Sequence, residues 1–158
     1  MIIHVGKGST LISFDFYLDK ESNLTLAFTP KFLHTWIGKL IDSVGMKKRK
    51  RLLDAWETVN RGPLSSFTSV AESHVRIETW PDELHINGDI QLCNFTKDNS
   101  RAAENFVTFL LDGINPWAAY TLTCLRGPGP ILTPMRRKTF VRGTDPVVEE
   151  FKVFVSEC

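Results

Sequence analysis

Only two stretches of this 158-residue chain space their apolar residues as a helix does. In TPKFLHTWIGKLIDSVG (29–45), Phe32, Leu33, Trp36, Ile37, Leu40, Ile41 and Val44 recur three and four apart. In DNSRAAENFVTFLLDGI (98–114), Ala102, Ala103, Phe106, Phe109, Leu110 and Ile114 do the same. The other apolar segments are short and rich in aromatic and β-branched residues, as strands are. They are STLISFDFYL (9–18), NLTLAF (23–28), LLDAWETV (52–59), SSFTSVA (65–71), HVRIET (74–79), LHINGDIQLC (84–93) and WAAYTLTCL (117–125). Seven short strands and two amphipathic helices leave few ways to bury an apolar face. The expectation is an α+β fold, a two-layer α/β sandwich of a mainly antiparallel sheet with two helices covering one face.

Local chemistry marks the boundaries. Thr29 is expected to cap the first helix, with Pro30 in its first turn and Gly45 at its stop. Asp98 or Asn99 is expected to cap the second. KKRKR (47–51) reads as a solvated loop and NRGP (60–63) as a turn. RGPGP (126–130) is the strongest breaker in the chain, and the segment beyond it reads as an appendage with one or two edge strands.

Charge narrows the function classes. Nineteen basic residues against eighteen acidic ones leave a formal charge of +1, with no bias towards nucleic acid or a membrane surface. The three cysteines, Cys93, Cys124 and Cys158, lack metal-site spacing and argue against a disulfide framework. The opening MIIHVGKGST lacks the apolar run of a signal peptide, so a cytoplasmic setting is expected.

The stretch AESHVRIETWPDELHINGDIQLC (71–93) carries the candidate chemistry. Taken singly, its residues have structural explanations. Ser73 lacks a G-x-S-x-G elbow, His74 should face away from it on a regular strand, and a lone cysteine is usually a small hydrophobe. Taken together, they resemble the self-processing site of the bacterial-type S-adenosylmethionine decarboxylases, whose signature is close to ESH-x-x-I-H-T-W-P-E. Cys93 stands twenty residues after Ser73, where that family has a catalytic cysteine, and Ser65 stands eight before it, where the family has a second serine. The order of elements matches over about residues 9–127 and the motifs over about residues 62–93.

The resemblance implies a domain over residues 1–127, cleavage between Glu72 and Ser73, and a C-terminal extension over residues 128–158. Ser73 would become a pyruvoyl group, a ketone cofactor that forms a Schiff base with a substrate amine and draws electrons as carbon dioxide leaves. Cys93 would be the general acid that protonates the product. The substrate implied is S-adenosylmethionine, the pathway is polyamine (spermidine) biosynthesis, and the assembly is a homodimer of processed chains.

Three positions depart from the family pattern. Glu78 replaces the processing histidine and could act as a base in the elimination. Val59 replaces an aromatic residue that helps to hold adenine. Asp82 replaces a longer acidic ligand of the ribose hydroxyls. Besides S-adenosylmethionine decarboxylation, two readings therefore stand: the same cofactor with another amine, such as arginine or ornithine, or an uncleaved homologue that regulates a partner.

Overall fold

The computed structural model of the chain describes residues 8–55, 64–71, 73–94, 98–126 and 133–153. The alternation read in the first strand segment is the clearest in the fold. Along β1 (Ser9–Tyr17), Thr10, Ile12, Phe14 and Phe16 are buried and the residues between them are not. Seven further strands follow: β2 (Lys48–Ala55), β3 (Leu64–Val70), β4 (Ser73–Trp80), β5 (His85–Cys93), β6 (Ala118–Arg126), β7 (Thr133–Val141) and β8 (Val147–Val153). They form one sheet in the order β2-β3-β4-β5-β1-β6-β7-β8, antiparallel throughout. The helices α1 (Leu24–Phe28), α2 (Pro30–Ser43) and α3 (Ser100–Ile114) complete the described elements. The expected α+β sandwich is what the chain forms.

The core lies between the sheet and α2 and α3. Phe14, Phe16, Ile77, Ile86 and Leu92 from the sheet meet Leu33, Ile37, Phe106 and Leu110 from the helices. Gly88 makes one of these contacts possible. A Cβ there would stand 2.6 Å from the Phe14 ring and 2.3 Å from the Arg76 carbonyl oxygen, so only glycine lets the ring and β4 approach β5 this closely.

Three expectations are corrected. NLTLAF is the short helix α1, not a strand. Asn23 Oδ1 accepts from the Leu26 amide at 3.2 Å and nucleates the turn. Pro30 then forces Thr29 into an extended conformation, which ends α1 and starts α2. The helices therefore number three among the described residues. KKRKR is largely strand, because Lys48 Nζ reaches Asp42 at 2.5 Å and the Gly38 carbonyl at 3.1 Å, and Arg51 donates to the His34 carbonyl. These bonds tie β2 under α2, and its basic residues suit an unpaired edge. Phe32 and Phe109 lie off the buried stripes, at 56% and 42% exposure, while Val107 joins the core. Thr29 is the N-cap residue of α2, as expected, although its side chain makes no capping bond. Residues 56–59 of the expected LLDAWETV strand and the NRGP turn lie outside the described residues.

β7 and β8 continue the sheet beyond β6. Their hairpin is tied back by Arg142, which bonds Asp19 at 3.0 Å and Glu21 at 2.9 Å. The Arg142 guanidinium holds the Asp19 carboxyl below the usual carboxylate range. Among the described residues no helix is long and apolar enough to cross a membrane.

The stripe on α3 gives a direct test. Phe106 is fully buried and Phe109 is half-exposed. Phe106→Ala is expected to cost about 3–5 kcal/mol by denaturant unfolding. Phe109→Ala, less than one turn away, is expected to cost about 1 kcal/mol or less. Equal losses would mean that the stripe is misassigned.

Candidate active site

The β3–β4 and β4–β5 hairpins set where the chemistry-bearing side chains stand. Val70 and Ser73 are register partners across the first turn, and the Ala71 amide donates to the Lys47 carbonyl at 3.0 Å. Ser73 is therefore the first residue of β4. In the second hairpin Ser73 is opposite Leu92, so Cys93, the last residue of β5, is its diagonal neighbour. The twenty-residue offset is that of a strand leaving this edge of the sheet and the next strand returning to it.

The contact is direct. The Ser73 hydroxyl donates to Cys93 Sγ at 3.5 Å, and Ser73 Oγ accepts the Cys93 backbone N–H at 3.1 Å. Cys93 is half-buried, more open than a core hydrophobe. Its carbonyl accepts from Asn99 Nδ2 at 2.8 Å. The Asn99 backbone N–H donates to Asn94 Oδ1 at 2.9 Å, and Thr10 Oγ1 meets Ser100 Oγ at 2.7 Å. The start of α3 is thus clamped onto the end of β5. Sequence reasoning treated Asn99 only as a possible helix cap. The signal that could have marked it is a polar residue six positions after Cys93, at the point where the chain turns back into a helix.

The other candidates stand apart from this pair. β4 is regular, so its even-numbered residues face away from the helices, and His74 is on the face opposite Ser73, as expected. His74 Nε2 bonds Asp89 Oδ2 at 2.7 Å and its ring stacks on Phe67. Arg76 bridges Asp89 at 2.9 Å and Glu78 at 3.4 Å. Ser65 is the register partner of Glu78 on β3. Glu78 and Ser65 therefore share the face of the sheet opposite to the helices. They stand about 17 Å along the strand from Ser73, at about 3.4 Å per residue. Asp82 is exposed on a 3-10 turn (Pro81–Glu83) at the far end of β4. Glu72 and Val59 lie outside the described residues. Among the described residues no group of three or more His, Cys, Asp or Glu side chains is placed to hold a metal ion.

A serine hydroxyl against a thiol at the end of a tight turn provides a nucleophile and a proton donor at one point. Both belong to the sheet end where the chain between β3 and β4 turns. That end is held by hydrogen bonds from three directions: β5 itself, the Lys47 carbonyl and the start of α3.

No protein-family model matches the sequence, and no curated protein matches it. The chain is similar to a solved structure, the crystal structure of the adenosylmethionine decarboxylase from Aquifex aeolicus VF5, at 15% sequence identity and a TM-score of 0.65. The match covers 78% of this chain and 94% of that one. The likeness is one of fold: this chain has the fold of an adenosylmethionine decarboxylase.

Proposed function

We propose that the protein is a self-processing, pyruvoyl-dependent decarboxylase of S-adenosylmethionine. The observation that carries this reading is the Ser73–Cys93 contact on a decarboxylase-like fold. Ser73 Oγ attacks the Glu72 carbonyl carbon; the C–O bond forms, the C–N bond breaks, and the proton passes to the freed amine. Loss of the Ser73 α-proton then expels the Glu72 carboxylate as the Cβ–O bond breaks. Water adds to the resulting enamine, in its imine form, and ammonia leaves. The ketone left at residue 73 supplies an electron sink for the substrate amine. Cys93 holds the proton that the product carbon receives.

Intact mass under denaturing conditions tests the first step. Two fragments, residues 1–72 and 73–158, are expected in place of one species of 17.9 kDa. A single species at all times would end the reading. Incubation with carboxyl-labelled S-adenosylmethionine, arginine and ornithine then separates the substrates, and label is expected from the first.

A second reading, an uncleaved homologue that regulates a partner, draws on the position of Glu78. Its carboxylate is engaged by Arg76, and β4 runs straight between it and Ser73. On the first reading, with Glu78 held by Arg76 five residues along β4 from Ser73, Glu78→Gln is expected to cleave at the wild-type rate. Severe slowing on a denaturing gel would return Glu78 to the role of processing base, and would require β4 to bend as a regular strand does not.

A further inference from the structure

Asparagine is among the residues most favoured at a helix N-cap, because its side-chain oxygen can accept an amide of the first turn. Asn99 occupies that position on α3 and makes no such bond. It is 5% exposed, its Nδ2 donates to the Cys93 carbonyl, and its Oδ1 is buried without a hydrogen-bond partner among the described residues. Turning the amide over would set Oδ1 against the Cys93 carbonyl oxygen, so the Cys93 bond determines the orientation. The side chain thus forgoes a stabilising cap, which costs stability. What it secures is the conformation of Cys93. The N–H of that residue is held by Ser73 Oγ and its C=O by Asn99. With the Cys93 C=O held by Asn99, the Cys93 N–H that orients Ser73 Oγ for attack is fixed in direction, and so is the Cα–Cβ bond that carries Sγ.

We propose that Asn99 is a positioning residue that holds Cys93 against Ser73, an inference that rests on the self-processing reading above. It acts through the Cys93 backbone and touches neither the scissile bond nor a substrate.

Asn99→Asp is the discriminating variant. It keeps the shape, removes the donor, and places a carboxylate that the Cys93 carbonyl repels. That carboxylate is free to turn and cap α3, where the helix dipole favours it. The expected result is a melting temperature equal to or above that of the wild type, with Glu72–Ser73 cleavage at least about tenfold slower, since small misplacements at a reacting centre have effects of that size. Asn99→Ser, short and able to cap but unable to reach Cys93, is expected to behave likewise. Cleavage at the wild-type rate in either variant overturns the inference. So does slowed cleavage with a matching loss of melting temperature in both, which a merely structural contact would produce. If the wild type itself never cleaves, the self-processing reading fails and the positioning is read from the thiol. Iodoacetamide labelling of Cys93, located by peptide mass, is then expected to change rate in Asn99→Asp, and an unchanged rate overturns it.

Discussion

Ser73→Ala is expected to remain one uncleaved chain of 17.9 kDa and to release no carbon dioxide from any amine substrate. Only a hydroxyl or thiol at this position can attack the preceding carbonyl, so the loss is complete rather than partial. The fold should survive. The hydroxyl makes its bonds to Cys93, at the end of the sheet, and losing a bond of this kind costs about 1 kcal/mol. A melting temperature near that of the wild type therefore accompanies total loss of processing. Ser73→Cys keeps an attacking group and is expected to retain some cleavage. Carbon dioxide released by Ser73→Ala at the wild-type rate would remove the pyruvoyl group from the account.

Cys93→Ala separates the two halves of the proposed chemistry. The bond that orients Ser73 Oγ comes from the Cys93 backbone, which alanine keeps. Cleavage should therefore proceed. Turnover of the processed protein is expected to fall by about 10²-fold or more, the usual effect of removing a general acid. Single-turnover release of carbon dioxide alongside the cleavage gel gives both quantities from one preparation. Unchanged turnover would make Cys93 a packing residue, and loss of cleavage would make it part of processing instead.

The two predicted helices and most of the strands were legible because their signals are local. The stripe from Leu33 to Ile41 and the alternation along Ser9–Tyr17 each report a buried face without reference to the rest of the chain. Two segments misled for physical reasons. NLTLAF alternates over too few residues to separate the periods, and the deciding groups, Asn23 at its first position and Pro30 beyond its end, act on its backbone rather than through its apolar pattern. KKRKR looks like a solvated loop until α2 presents the Gly38 and His34 carbonyls and the Asp42 carboxylate to Lys48 and Arg51.

The site divides in the same way. Sequence by itself placed Cys93 twenty residues after Ser73, at the spacing of the family it resembles, and the pairing of β4 with β5 brought the two to the same end of neighbouring strands. Sequence also put His74, by strand parity, on the face opposite Ser73; that this face is the one away from the helices, shared by Glu78, came from the packing. Only the tertiary structure decided that Ser65 pairs with Glu78 rather than approaching Ser73, since register is a property of two strands. Only the tertiary structure placed Asn99 on the Cys93 carbonyl, because that bond depends on where α3 docks at the end of β5. Periodicity along the chain says which face a side chain occupies, and packing between elements says which partner it meets there.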